Sequence, residues 1–306
     1  MLENSFTNLS TQLPSSARPS YAGIWVPIIT PFRDDAARSV DYGALYSLVV
    51  RYREQGVAGF AACGSTGEAS ALTEQEQADV LDTIRAAADG LPVMMGLSGS
   101  ALAPVRERML RLAEHRPAAF LISAPSYIRP SQAGLVEYFT ALADASPMPV
   151  LLYDIPYRTG ATIDTETLLT LAAHPNIHGI KDCGGDADKT QRVIADGRLQ
   201  VLAGEDAQAF GTLCAGGAGA IIAAAHVRTE LFVEMARAVQ EQRLNDARRL
   251  HHALAPVVRL LFAATNPGPL KAWLAAEELI RNVLRAPMVA ASDALGRELM
   301  EAVGRV

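Results

Sequence analysis

From residue 23 onward the chain repeats one pattern, a short apolar run followed by a longer segment of helical period. Apolar runs at 24–29, 59–62, 93–95, 119–122, 150–153, 177–181, 200–203 and 219–222 recur about every 27 residues and read as eight strands. The runs are continuous in apolar residues and do not alternate with polar ones, which marks strands buried on both faces of a parallel sheet. The intervening segments carry helix signals. Asp41 precedes a Leu45, Leu48, Val49, Tyr52 stripe that stops at Gly56, and Thr73 with Glu76 has the spacing of a capping box. Ser131 opens a helix whose Leu135, Tyr138, Phe139 and Leu142 share one face, and Asp164 opens another before Leu168 and Leu171. A doubly wound sheet normally has a glycine-rich turn after its first strand, whereas here that strand runs into Thr30-Pro31-Phe32. The economical closure is therefore a (β/α)8 TIM barrel. It accounts for 306 residues without two separate domains, since such barrels spend about 200 to 250 residues on one core. The expected division is a flexible tail at 1–20, a barrel at 21–241, and a C-terminal helical cap at 242–306 with helical segments near 244–262, 270–279 and 289–303.

Composition narrows the partners. The formal charge of −6 comes from 27 basic and 33 acidic residues without a long like-charge block, so neither nucleic acid nor an anionic membrane is expected. Small molecules or other proteins are the expected partners. The first 20 residues are rich in Ser, Thr and Asn and lack the apolar stretch of a signal peptide. The longest weakly polar run, 214–225, falls well short of the roughly 20 residues that span a bilayer. Cys63, Cys183 and Cys214 are odd in number and widely spaced, which suits reduced, structurally packed thiols and a cytoplasmic location. Among the basic residues only Lys181, Lys189 and Lys271 are lysine.

In a barrel, groups at the carboxyl ends of the strands converge on one mouth. Strand two ends in Gly64-Ser65-Thr66-Gly67-Glu68, strand four in Ser123-Ala124-Pro125-Ser126-Tyr127, strand five in Tyr153-Asp154, strand six at Lys181, strand seven in Gly204-Glu205-Asp206 and strand eight near Ile221. One lysine, two tyrosines and a hydroxyl-rich glycine loop thus face a common space. Lys181 emerges from an apolar strand, where desolvation lowers its pKa and favours the neutral amine that attacks a carbonyl. The competing reading is a lysine that snorkels to solvent or pairs with Asp182. Tyr153 and Tyr127 have hydroxyls able to relay protons during that attack, although either also reads as an ordinary core or rim aromatic. The Gly64–Glu68 loop lacks the Gly-Lys-Ser/Thr of a P-loop. Its amides and the Ser65 and Thr66 hydroxyls suit a small carboxylate instead, with a plain tight turn as the alternative. Cys63 occupies the place where a nucleophile elbow requires glycine, so Ser65 is not a hydrolase serine. The six histidines show no zinc-like spacing, though His226 lies just beyond strand eight. Adjacent Glu205 and Asp206 are expected to point different ways and not to form an acid/base pair. Lys189 reads as a helix surface residue and Lys271 as part of the cap.

With these residues in place, the sequence resembles the dihydrodipicolinate synthase/N-acetylneuraminate lyase family over nearly everything from Gly23 onward. The carriers are Gly64-Ser65-Thr66-Gly67-Glu68, Tyr153-Asp154-Ile155-Pro156-Tyr157-Arg158-Thr159-Gly160, Ile180-Lys181-Asp182 and Asn266-Pro267-Gly268-Pro269-Leu270-Lys271. The resemblance implies a class I aldolase-type lyase in which Lys181 forms a Schiff base with pyruvate, Tyr153 acts as acid/base, and Ser65 with Tyr127 completes a hydroxyl relay. It implies that Gly64, Ser65 and Thr66 hold the pyruvate carboxylate and that Gly204 and Ile221 line the pocket. Tyr127 is implied to cross into a neighbouring subunit of a dimer or homotetramer. Arg158 is implied to bind the carboxylate of the second substrate, for which a guanidinium fork is suited. The implied reaction condenses pyruvate with L-aspartate 4-semialdehyde to 4-hydroxy-tetrahydrodipicolinate in lysine and diaminopimelate biosynthesis, with no metal or organic cofactor.

Some positions depart from the family pattern. Ser65 replaces threonine, Ser126 replaces the first tyrosine of a Tyr-Tyr pair, and Asp154 replaces asparagine, adding a negative charge expected beside the mouth. Ile222 and His226 stand where serine and asparagine are usual. Glu74, Gln77 and Ser100 occupy positions at which lysine-inhibited members carry histidines and an asparagine, which argues against lysine feedback. The altered wall after strand eight keeps open a sibling aldolase or dehydratase acting on a 2-keto-3-deoxy sugar acid, while Arg158 favours the synthase. A catalytically silent keto-acid sensor is the remaining reading, and Lys181, Tyr153 and Tyr127 together argue against it.

Overall fold

The computed structural model describes residues 18–306. Among them, eight parallel strands close into a barrel in sequential order: β1 (Gly23–Val26), β2 (Gly59–Ala62), β3 (Val93–Leu97), β4 (Ala119–Ser123), β5 (Val150–Asp154), β6 (Ile177–Asp182), β7 (Gln200–Ala203) and β8 (Gly219–Ile221). All eight expected strands are present. β1 and β8 end earlier than their apolar runs, because 27–29 and Ile222 continue as buried loop beneath the mouth. The helices are α1 (Tyr42–Glu54), α2 (Glu74–Ala88), α3 (Leu102–Ala113), α4 (Gln132–Ala145), α5 (Pro156–Thr159), α6 (Thr165–Leu171), α7 (Ala187–Asp196), α8 (Ala209–Cys214), α9 (Thr229–Gln240), α10 (Leu244–Leu261), α11 (Gly268–Ala276) and α12 (Asp293–Gly304).

Alternation along each strand, hidden in the sequence by apolar residues on both faces, sorts side chains between two cores. Leu121 and Leu151 point into the barrel with Trp25, Met94 and Leu202. Their neighbours Phe120, Ile122, Val150 and Leu152 point outward under the helices. The indole of Trp25 closes the floor and donates to the Tyr21 carbonyl at 2.9 Å. Gly59 has to lack a side chain there, since a Cβ would lie 2.4 Å from that ring and 2.5 Å from the Pro92 carbonyl.

The helix starts follow the capping signals. Asp41 accepts from the Ala44 amide, Thr73 and Glu76 form the reciprocal capping box, and Ser131 accepts from Gly134. Asp164 precedes α6 but its side chain caps nothing; its own amide donates to Gln132. Most of the expected tail, 1–20, lies outside the described residues. Its last part is bound, with Arg18 donating to the Arg198 carbonyl and Gln200 donating to that of Pro19.

The C-terminal region clamps the β2 loop through α11 and the segment that follows it. Lys271 on α11 is fully buried and pairs with Glu68 at 2.5 Å, and Arg285 binds Glu76 through both carboxylate oxygens at 2.6 and 2.7 Å. The Lys271 ammonium and the Arg285 guanidinium both lie against the Phe32 ring.

Candidate active site

The register of β5 and β6 places Tyr153 directly beside Lys181, both facing the barrel interior. Lys181 is 5% exposed and its Nζ lies 4.5 Å from the centre of the Tyr153 ring. Burial pushes its ammonium below the ordinary lysine value, opposed by Cys183, Asp206 and Glu205 nearby. The pairing with Asp182 entertained from the sequence does not occur, because Asp182 points to the opposite face. Burial also raises the Tyr153 phenol well above its usual range, keeping it protonated. Its hydroxyl meets Ser65 Oγ at 3.3 Å, linking strand five to the loop after strand two.

That loop is a compact turn. Cys63 and Glu68, at φ 51° and 52°, bracket it in the left-handed region. The turn is closed by the Gly67 and Glu68 amides bonding back to Gly64 and Ser65. Among the described residues the Ser65 and Thr66 amides have no acceptor, so two donors remain free at the mouth. Thr66 is fixed by Asn266, whose amide donates to its hydroxyl at 2.9 Å, and Thr30 holds the Gly67 carbonyl.

Gly204 and Ile221 do line the cleft over Lys181, together with Thr66, Tyr157 and Asp206. Gly204 leaves room that Lys181 and Cys183 occupy. A second cavity of about 310 Å³ opens beside it toward Ser98, Ser123 and Ser126. Ser65, Tyr153, Arg158 and Asn266 border both spaces. Arg158 is carried by α5, a single turn begun by Pro156 and stopped by Gly160 at φ 74°. Its guanidinium donates to the Asn266 carbonyl at 3.3 Å and lies near the Tyr157 ring, leaving its remaining donors to the mouth.

The structure places five of the residues singled out in the sequence differently or more definitely. Tyr127 does not share the space of the other residues within one chain: it is 91% exposed and borders neither cavity, because a left-handed backbone at φ 74° turns it outward. Asp154 does not add charge beside the mouth; the strand alternation that sends Tyr153 inward sends Asp154 outward, fully buried under α7. Lys189 is not on the surface but 3% exposed and bound to Asp154. Cys214 is exposed, unlike buried Cys63 and Cys183, because it ends α8 beside a glycine turn. His226 is no ligand candidate: one ring nitrogen accepts from the Ile29 amide and the other meets the Ala223 carbonyl, and burial lowers its pKa to about 4.

Two residues escaped the sequence reading. Asp206 is 6% exposed beside Lys181, accepts from the Ala224 amide, and has its pKa pushed up to about 7 by burial. Its place after strand seven was visible, but its inward direction was not. Asn266 was seen only as motif, and nothing in its spacing signalled that it would reach back to the β2 loop.

A closed eight-stranded barrel with a desolvated lysine, a protonated tyrosine and unpaired loop amides at its mouth belongs to the (β/α)8 barrels whose sites lie at the carboxyl ends of the strands. The comparisons are more specific. The Dihydrodipicolinate synthetase family matches residues 20–305, and the chain belongs to that family. A 4-hydroxy-tetrahydrodipicolinate synthase from Methanosphaerula palustris is 37% identical over 88% of this chain and 93% of its own length. One from Methanoculleus marisnigri is 36% identical over 91% and 97%. Among solved structures, the dihydrodipicolinate synthase of Thermotoga maritima matches with a TM-score of 0.90 at 28% identity, covering 94% of this chain and all of that one. A chloride-inhibited synthase from Acinetobacter baumannii complexed with pyruvate matches at 0.89 and 30% identity, over 93% and 98%. A monomeric variant of the enzyme matches at 0.89 and 28%, over 93% and 96%. None of the described helices is long and apolar enough to cross a membrane.

Proposed function

We propose that the chain condenses pyruvate with L-aspartate 4-semialdehyde to give 4-hydroxy-tetrahydrodipicolinate. The observation that carries this reading is the Lys181 amine, desolvated at the end of β6 and facing the Tyr153–Ser65 pair. The Ser65 and Thr66 amides hold the pyruvate carboxylate, with Gly64 forming the turn. Neutral Lys181 adds to the pyruvate ketone, and loss of water gives the imine while Tyr153 moves the protons. Removal of a methyl proton gives the enamine, whose carbon bonds to the aldehyde carbon of the semialdehyde. The resulting alkoxide takes a proton, and the substrate amine then attacks the imine carbon, expelling Lys181 and closing the ring. Overall one water is released. No metal or organic cofactor enters these steps.

Arg158 receives the semialdehyde carboxylate from the rim shared by both cavities. Gly204 and Ile221 shape the wall against the imine. Tyr127, exposed and turned away from its own mouth, is read as reaching a partner's site in a dimer or homotetramer, where it completes the relay through Ser65. The division into a barrel, 21–241, and a C-terminal cap, 242–306, and a cytoplasmic location complete the reading.

The test is borohydride reduction in the presence of pyruvate, followed by peptide mass mapping and a turnover assay with the semialdehyde. A pyruvate-derived label on Lys181 is expected. A label on Lys189 or Lys271 instead, or no turnover of the semialdehyde, would overturn the proposal.

A further inference from the structure

Behind the reactive pair lies a second pair that the reaction does not touch. The β5–β6 ladder sets Tyr153 against Lys181 and, one residue on, Asp154 against Asp182. The first pair faces the barrel interior, and the second faces outward under α7. Lys189 of α7 reaches between the two carboxylates, with its Nζ 2.5 Å from Asp154 and 3.5 Å from Asp182. All three residues are at most 4% exposed.

We propose that Lys189 is a positioning residue for Tyr153 and Lys181, acting through an Asp154–Lys189–Asp182 clasp that fixes the ends of β5 and β6. The proposal rests on the reading of Lys181 as the imine-forming amine. Every remaining oxygen of the clasp also holds backbone or α7. Asp154 Oδ1 accepts from the Ile163 amide at 3.2 Å, tying in the segment that follows Arg158. Asp182 accepts from the Gly184 amide at 2.8 Å and from the Thr190 hydroxyl at 2.6 Å. The loop leaving β6 crosses directly over the clasp at Gly184, where a Cβ would sit 3.0 Å from both carboxylates and against Lys189 Nζ.

The energetics favour a geometric role over a stabilising one. A buried ion pair is often no more stable than apolar residues of the same volume, because desolvation offsets the attraction. Its bonds are directional, however, and a misplacement of about 1 Å at reacting groups costs roughly 100-fold in rate. Lower in the ladder, the register slips between Val150 and Leu151, so the strands are not locked from below. The clasp locks them from above, one residue beyond the catalytic pair. Burial disfavours the Lys189 ammonium, yet Asp154 and Asp182 hold its pKa above the ordinary value. Burial also raises the Asp154 carboxyl, opposed by the Lys189 ammonium beside it.

The test compares Lys189→Met, Asp154→Asn and the double variant, reading kcat, KM for pyruvate, thermal midpoint and the rate of borohydride trapping at Lys181. Asp154→Asn leaves one oxygen for two donors, the Ile163 amide and the Lys189 ammonium, but keeps the Lys189–Asp182 pair, and is expected to lower kcat and trapping by less than Lys189→Met. Lys189→Met is expected to lower kcat and trapping by at least about tenfold with KM for pyruvate changed less than about threefold. Should two unneutralised carboxylates keep Lys189→Met from folding, the double variant, which removes one of them, supplies the measurement. It is expected to fold with the same tenfold loss. A folded Lys189→Met or double variant with kcat and trapping within about twofold of wild type would overturn the proposal. Absence of a pyruvate label on wild-type Lys181 overturns the reading beneath it instead, so the two failures are distinguishable.

Discussion

Gly204→Ala puts the most direct strain on the proposed chemistry. The backbone at Gly204 lies outside the left-handed region, so alanine fits the conformation, and the conflict is purely one of space. An added Cβ would lie 2.9 Å from both Cγ and Cε of Lys181 and in contact with Cys183 Sγ. Carbon atoms in good contact sit about 3.5 to 4.0 Å apart, so the lysine chain has to move by roughly 0.6 to 1 Å. Moving the reactive amine that far from Tyr153 is expected to slow imine formation by about 100-fold, or roughly 2.7 kcal/mol of barrier. Overpacking of this kind also destabilises by about 1 to 3 kcal/mol. The assay is the rate of pyruvate-dependent borohydride trapping, followed beside urea unfolding. Because Cys183 Sγ crowds the same point, Gly204→Ala with Cys183→Ala is expected to recover part of the rate. A singly substituted enzyme that traps pyruvate within about threefold of wild type would show that the Lys181 path is not confined as described.

Three other outcomes follow from the same geometry. Because burial lowers the Lys181 pKa, the amine is neutral at lower pH than a free lysine, and the midpoint of the trapping rate should fall below the ordinary lysine value of 10.5; a midpoint at or above 10.5 refutes the desolvation argument. Asp206, whose folded pKa is raised from 3.8 to about 7, binds more protons when folded, so its contribution to stability is full below about pH 4 and is lost as pH rises through 7. Asp206→Asn should flatten the stability profile across that window, and an unchanged profile would assign the slope to other groups. Lys271→Met leaves Glu68 buried without its partner and should cost about 3 to 5 kcal/mol in urea unfolding; a loss below about 1 kcal/mol would mean that Glu68 finds another neutralising contact.

The sequence carried the architecture because the strand runs were apolar on both faces and the helix starts had chemical signatures at Asp41, Thr73 and Ser131. Lys181 was legible for the same reason, as a charge at the end of such a run. Direction was harder to read. Whether Asp154, Asp206 or Tyr127 faces the mouth depends on strand phase and on one left-handed residue, neither of which a linear pattern displays. Lys189 did leave a trace, since it lies four residues before Val193 and shares the buried face of α7 with it. A face-by-face reading of that helix would have moved it inside. Asn266 left none, because the Thr66 hydroxyl that it holds is 200 residues away and joined to it only by the closure of the cap.

Every lysine in this protein is buried, at 5%, 3% and 0% exposure for Lys181, Lys189 and Lys271. Surface positive charge is therefore carried by arginine, and outside the Lys181 cleft the fold offers no ε-amine to an acylating reagent, a carbonyl cross-linker or a lysine-modifying enzyme. Unfolding exposes three at once. Amine acylation at Lys189 and Lys271 thus becomes a count of opening events, with Lys189 reporting the α7 layer and Lys271 the seam between barrel and cap.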